Sequence, residues 1–448
     1  MSDEKISSNG IKWGPFTARF PVIHFRIEWP ELAQGFVVAL STGLALVPLL
    51  TAYFGLTFEE AVTISLIHSI LIASASTLFG EPYAPGWVTP ALPLTLAFVL
   101  GQYDDPTARF QAMTALTVDF ALLLFFMGIT GLGGKLINRI PVALKAGIIL
   151  GAAFAAFERV FVKDLDKIQA MPVSITLALI VSLIVAFSIP FHILKARYKP
   201  LAVIAGLGLL PGFAVAGIAG SLMGEMHFDI QWGILIPPFA DMMAKASPFS
   251  IGWPSFGMYM EALPLALITY TILFGDLLTG MAILKDGQKA RPDEVIDVNI
   301  NRSHLSIALR NMAMAVTAPF FPSQGALWTG VHVIIVNRWK EGKAKMQSLH
   351  GGIGAYYLYS VPIFILALPL ITFLKPFLYI ALMITLVLTG FACAYVAIEM
   401  AKGREQKGVM LMTAFFLVFF EPWVGLVVGL ISVVILLGPG AFKKQSEE

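Results

Sequence analysis

The chain has 448 residues, of which 57% are hydrophobic and 13% charged, and its formal net charge is +2; soluble domains carry roughly 25% charged residues, so a soluble enzyme is excluded. So is a nucleic-acid partner, because neutralising phosphates requires clustered Lys and Arg. The single cysteine, Cys393, excludes a disulfide within the chain and argues against a zinc-thiolate or iron–sulfur site.

Residues 1–31 are polar, with no apolar stretch close behind their charges, and read as a cytoplasmic leader rather than a signal peptide. A helix needs about 20 largely apolar residues to cross a bilayer. Apolar runs punctuated by Gly, Pro and charge predict spans at 33–54, 58–78, a broken 86–101, 110–131, 141–160, 173–193 and 200–222. A polar connection rich in Pro and Gly follows at 223–256. The second half, 257–438, predicts 257–284, 303–319, a broken 322–337, 353–374, 376–399, 408–421 and 423–438. The break at Glu421-Pro422 also reads as a kink within one helix, and 439–448 reads as a cytoplasmic tail.

Charge provides an independent check on the count. With the N-terminus inside, alternation assigns 22 of the 30 Lys and Arg to the cytoplasm and five to the outside, with three within spans, the asymmetry that retention of positive loops produces. Pro90 and Pro322 open the broken third span of each half, and Pro141 and Pro376 open the fifth, at similar offsets of 232 and 235 positions. An odd number of spans per half inserts the second half upside down. The predicted fold is therefore an all-α polytopic membrane protein of 14 transmembrane segments, a 7+7 inverted repeat with spans 3 and 10 broken, in the plasma or inner membrane with both termini cytoplasmic.

The broken segments, Gly86 to Thr95 (GWVTPALPLT) and Phe320 to Gly330 (FFPSQGALWTG), are predicted to enter as extended chain and turn into short helices, because Pro removes a donor and disfavours helix before it. Irregular backbone at membrane depth is tolerated only where protein, water or ligand satisfies it. Two helix N-termini meeting there present roughly one positive charge together, a receptor for an anionic or electron-rich solute. The expected contacts are Thr89, Ala91 and Leu92 on one side and Ser323, Gln324, Gly325 and Ala326 on the other; Ser323 and Gln324 also read as helix caps. Asp276, in FGDLLTG, lies deep in the eighth span and, with Thr279, reads as the site of a proton or sodium ion, or as a structural hydrogen bond to the broken backbone. No other metal and no cofactor is expected. Arg310 reads as half of a fixed pair or an aid to anion binding, and His68 and Asp119 as a proton relay or as packing residues.

At these residues the chain resembles the superfamily joining the sulfate-permease (SulP) anion transporters, the nucleobase–ascorbate transporters and the uracil-permease fold. Thr89-Pro90-Ala91-Leu92-Pro93-Leu94-Thr95 is similar to the SulP third-span pattern, Pro48 to its first-span proline, and Pro322 with Gly325-Ala326 to its tenth span. Thr329 or Gly330 stands where that span often has Arg. Gly275-Asp276 resembles the nucleobase branch, although Ile272 replaces its expected glutamate and Trp328 or Gln324 falls on its tenth-span polar position. Leu277-Leu278-Thr279 resembles the run whose Thr helps bind sodium in bicarbonate carriers, with the acid three residues before it rather than four. The resemblance implies an elevator mechanism, in which spans 1–4 and 8–11 carry solute past a gate of spans 5–7 and 12–14, and a homodimer through that gate. No STAS domain, the regulatory module of the SulP family, is expected.

The expected function is secondary active transport of a small anion, an inorganic oxyanion, bicarbonate or a carboxylate, coupled to H+ or Na+. The alternative is a proton-coupled nucleobase permease for uracil or xanthine, followed by a gated anion channel. No His-rich metal motif, nucleophile elbow or paired acids at catalytic spacing points to an enzyme.

Overall fold

The computed structural model describes residues 10–442 except 21, 37–39, 134, 136–138 and 207–209. The segment read as a polar leader carries a hairpin, β1 (Ile11–Trp13) and β2 (Phe16–Ala18), with Trp13 opposite Phe16. Its two-residue turn needs a positive φ, which Gly14 supplies at +55°. The Trp13 indole N–H donates to Leu78 O at 2.7 Å, and Phe16 packs edge-on against Phe79, so the hairpin sits on the end of the second predicted span.

Local chemistry sets most helix starts. In the first half, α1 (Val47–Tyr53) has Pro48 in its first turn, where a missing N–H costs nothing. A reciprocal Thr57–Glu60 capping box opens α2 (Phe58–Thr77). The short α3 (Leu92–Gln102) precedes α4 (Pro106–Thr130), which Asp105 caps and Gly131 ends in the left-handed region at φ +66°. Pro141 leads into α5 (Val142–Glu158), which closes in a π-turn over Arg159–Lys163. The predicted span 173–193 is two helices, α6 (Pro172–Phe187) and α7 (Ile189–Arg197), bent by 66°. The apolar run hides the break: Ser188 is extended and its hydroxyl accepts from Phe191 N–H, while Pro190 starts the next turn. After them comes α8 (Leu210–Met223).

In the second half, α9 (Phe256–Gln288) runs for 33 residues and α10 (Ile300–Thr317) starts from an Asn299 cap. Then come α11 (Thr329–Lys340), α12 (Leu349–Leu358), α13 (Leu378–Met400), α14 (Arg404–Phe419) and α15 (Pro422–Leu437). The expected division at Pro376 is displaced, because the helical path Leu368–Met400 continues through it. Pro376 lies in the first turn of a 3-10 helix, where no donor is needed. The break falls instead before Leu368, whose N–H donates to Gly233 O while Leu366 O accepts from Leu235 N–H. At Glu421-Pro422 the chain reverses: a methyl on Gly425 would strike Leu417, and one on Gly429 would strike Thr413, so α14 and α15 are an antiparallel pair and not one kinked helix.

The helices gather into two bundles. In one, α4 packs on α9 and α10, α2 on α10 and α12, and α11 on α9 and α12; in the other, α5 packs on α13 and α14, α14 on α15, and α6 on α8 and α13. Small residues set the close spacing of the second bundle, with Ala146, Ala153, Ala397, Ala401 and Ala414 sharing one buried cluster. The bundles meet where α3 lies on α5 and α1 on α13. Among the described residues, four helical segments, α2, α4, α9 and Leu368–Met400, are each long and apolar enough to cross a bilayer, and the bent α6–α7 pair makes a fifth; Leu44–Tyr53, Thr89–Gln102, Leu210–Met223 and Pro422–Leu437 are shorter apolar helices. Length and composition make this an integral membrane protein.

Candidate solute-binding site

Neither Pro90 nor Pro322 lies inside a continuous helix. Residues 80–88 and 318–328 are non-helical, and the two stretches pair antiparallel. Val88 N–H donates to Pro322 O at 3.0 Å, Gly325 N–H to Gly86 O at 2.8 Å and Trp328 N–H to Ala84 O at 2.8 Å. Each break therefore satisfies the other's backbone, as burial at membrane depth demands. From this crossing α3 and α11 leave toward opposite ends of α9. Tyr103, just beyond α3, donates to Glu261 near the start of α9, and Lys340, at the end of α11, pairs with Asp286 near its finish.

The crossing places the expected residues in different surroundings. An added Cβ on Gly86 would lie 2.7 Å from Trp328 Cβ, and one on Gly325 2.6 Å from Gly86 O, so the close approach at Gly325 is between backbones. Arg310 is fully buried behind it, donating to Gly325 O at 3.0 Å and to Gln324 Oε1 at 3.4 Å, and Asn311 donates to Gln324 O at 2.9 Å. His68 donates from Nε2 to Ala318 O at 2.7 Å, which leaves Nδ1 as the acceptor facing Ser323 Oγ at 3.0 Å; Gln324 Nε2 donates to His68 O. Ser323 and Gln324 thus tie the extended strand to α2 and do not cap a helix. The second short helix begins at Thr329 rather than just after Pro322, because 323–328 is held extended by its pairing with 84–88. Ala91 and Ala326 are buried, and Leu92 starts α3 directly after the 3-10 turn Thr89–Ala91.

On the other side of the crossing is a cavity of about 370 Å³ between the two bundles. Thr89 and Gly330, at the starts of the two short helices, border it together with Trp87, Trp328, Tyr356 and Tyr357 from the first bundle and Thr385, Leu388 and Thr389 from α13. The first amides of a helix have no intrahelical acceptor, so the N-terminal ends of both helices face this space. Among the described lining residues none is Lys, Arg, His, Asp or Glu. Of the sequence candidates only Thr89 lines the cavity. Trp87 and Trp328 each stand beside a break within the quoted motifs, a signal the prolines obscured; Tyr356 and Tyr357 sit in a Gly-rich run that carries none.

Asp276 is half-buried on α9, one turn before Gly280, where an added Cβ would meet Tyr83 and Leu327. Among the described residues no hydrogen-bond donor meets its carboxylate, whereas Thr279 donates to Gly275 O at 2.9 Å. Asp119 sits on α4 with buried Oδ2 unpaired among the described residues; both ring nitrogens of His68 being engaged elsewhere, no hydrogen bond joins the two. Glu81, which the sequence reading passed over, anchors the approach to the crossing: it is buried and accepts from Ser303 Oγ and from Arg302 Nε.

Two antiparallel breaks from opposite halves, a cavity at their helix starts and a second bundle across it define a recognisable architecture. The transmembrane domain of the cyanobacterial bicarbonate transporter BicA aligns over 91% of this chain and 99% of its own, with a TM-score of 0.51 and 13% identity. The chain shares the fold of that transmembrane domain. Murine Slc26a9, an anion transporter solved in an inward-facing state, aligns over 92% of this chain and 68% of its own, with a TM-score of 0.53 and 14% identity. These neighbours are transporters, not enzymes. No family model matches the chain. A benzoate membrane transport protein of Acinetobacter baylyi is 25% identical over 228 residues, 50% of this chain, and the match spans 49% of that relative's length.

Proposed function

We propose that this protein is a secondary active transporter of a small organic anion, a monocarboxylate with an apolar or aromatic body. The observation that carries the reading is the cavity between the two bundles, bordered by the starts of two oppositely directed short helices and walled by aromatic side chains. Two helix N-termini offset about one negative charge, and the walls suit an apolar body better than a strongly hydrated oxyanion. The likeness to a benzoate carrier and the fold shared with two anion transporters support the same choice. Movement of the first bundle past the second exposes the cavity alternately to either side, in a fourteen-span inverted repeat with both termini cytoplasmic that pairs as a homodimer through the second bundle.

Asp276 binds the coupling proton, or with Thr279 a sodium ion, because among the described residues no donor meets its carboxylate and it lies one turn from Gly280 beside the crossing. Purified protein in liposomes is expected to accumulate radiolabelled benzoate against its gradient when a proton or sodium gradient is imposed, and Asp276→Asn to abolish accumulation while retaining benzoate binding. No accumulation under either gradient overturns the reading. The aromatic walls also fit a flat base, which favours a nucleobase permease as the second reading; melting shifts with uracil or xanthine and none with benzoate would establish it.

A further inference from the structure

The connection between α8 and α9, read from sequence as a polar loop, is non-helical over 225–238 and pairs with the chain that joins α12 to α13. Leu235 N–H donates to Leu366 O at 2.7 Å, Leu368 N–H to Gly233 O at 3.1 Å and Gln231 N–H to Thr372 Oγ1 at 3.1 Å. Side chains alternate along this strap as they do on a strand: Leu235 is buried, whereas Ile230, Trp232, Ile234 and Ile236 are 44%, 85%, 75% and 87% exposed. The backbone N–H and C=O groups of Trp232 and Ile234 have no hydrogen-bond partner among the described residues. One edge of the strap is thus open and apolar.

We infer that this edge is a lipid-binding surface, seated at the boundary between headgroups and acyl chains. Four large apolar side chains in water would make the kind of patch that marks an interaction site, and unpaired backbone groups are not tolerated in hydrocarbon. The boundary meets both demands, since water reaches the backbone there while the side chains enter lipid, and Trp favours that level. The exposed apolar surface is continuous in the chain with the last turns of α8, where Ile218, Leu222 and Met223 are exposed. The strap also lies at the end of the molecule where helices begin: Lys245, just after it, pairs with Glu60 at the start of α2, and Gln111 near the start of α4 donates to Ile251 O. Two more exposed tryptophans stand at helix starts there, Trp253 before α9 and Trp423 on α15, whose indole N–H donates to Met260 O. With Trp232 they form an aromatic belt. The inference does not depend on what the cavity carries.

The test uses the full-length protein in phosphatidylcholine nanodiscs, with Cys393→Ala as background because it removes the single native cysteine. Trp232→Cys, Ile234→Cys and Ile236→Cys each carry a nitroxide, whose collisions with oxygen, concentrated in lipid, and with a nickel chelate, confined to water, are measured. Lys343→Cys, in a polar loop, and Leu122→Cys, exposed on α4, supply the water and lipid references. Labels on the strap are expected to give an oxygen-to-nickel ratio several-fold above that at position 343 and below that at 122. A ratio equal to that at 343 overturns the inference. Low collision rates with both reagents, together with strong dipolar coupling between labels on two copies, would assign the edge to a second copy paired strand to strand and overturn it as well. Trp232→Phe provides a reading without a label: the emission it removes from wild type is expected to be quenched by lipids brominated near the carbonyl end of the acyl chain. Emission that those lipids leave untouched and aqueous acrylamide quenches overturns the inference.

Discussion

Arg291 shows how much one buried side chain can organise. It is 1% exposed and its guanidinium donates to Asp293, Glu294, Trp339 O, Met346 O and Gln347 O, joining the segment after α9 to the end of α11 and the loop beyond it. Removing one partner from a buried ion pair leaves the other uncompensated, so Arg291→Met should lower stability by about 3 kcal/mol, read as a drop in melting temperature. The hydrogen bond from Arg291 holds the Asp293 carboxyl below its ordinary range, with burial opposing. A depressed folded-state value contributes stability that is present above the unfolded value, about 4, and is lost as pH falls through the folded value. Melting should therefore decline on acidification below about pH 4, and Asp293→Asn should flatten that limb; an unchanged acid profile would detach the pair from stability.

The broken segments are the elements on which the site depends, and glycine decides how closely they meet. A methyl at position 325 would press on Gly86 O and the Val88 amide, backbone atoms that cannot give way without shifting the strand. Gly325→Ala should thus destabilise the protein by about 1–3 kcal/mol, the usual range for overpacking, and weaken solute binding with it. Gly330→Ala is the contrast, since its Cβ would meet nothing within 4 Å, and its melting temperature should match wild type. Unchanged melting of Gly325→Ala in a thermal denaturation series would show that the crossing tolerates a side chain.

At the scale of the whole molecule, the two bundles are tied at one end by a small polar cluster. Tyr53, at the end of α1, donates to Asp164 at 2.8 Å; Arg159 grips the same carboxylate through two 2.8 Å hydrogen bonds and lies over the Tyr53 ring at 4.7 Å. Lys375 lies over the Phe58 ring at 4.7 Å nearby. Asp164 is 1% exposed, so the tie is shielded from solvent, where hydrogen bonds to charge are strongest. Tyr53→Phe leaves the Arg159–Asp164 pair inside the second bundle intact and removes only the link across. Amide hydrogen exchange at 53–57 and 159–167 should then quicken several-fold, with 84–88 unchanged; equal protection in the variant would mean that the tie does not restrain the bundles.

The composition and the apolar runs were enough to identify a helical membrane protein, since burying so many apolar residues with so few charges leaves no other solvent. Prolines 90 and 322 were enough to mark two breaks, because a residue without an N–H disrupts a helix wherever it falls. What they did not mark was where helix resumes: at Thr89 the turn is immediate, whereas Pro322 is followed by six residues held extended by hydrogen bonds to 84–88, a partner more than 230 positions away. For the same reason Ser323, Gln324 and Arg310 face the crossing, and the cavity takes its walls from Trp87, Trp328, Tyr356 and Tyr357 together with α13 across the bundle boundary. A local property such as a missing donor can be read from one residue. Which side of a backbone crossing becomes cavity depends on how two distant segments register, and only the assembled bundles set that.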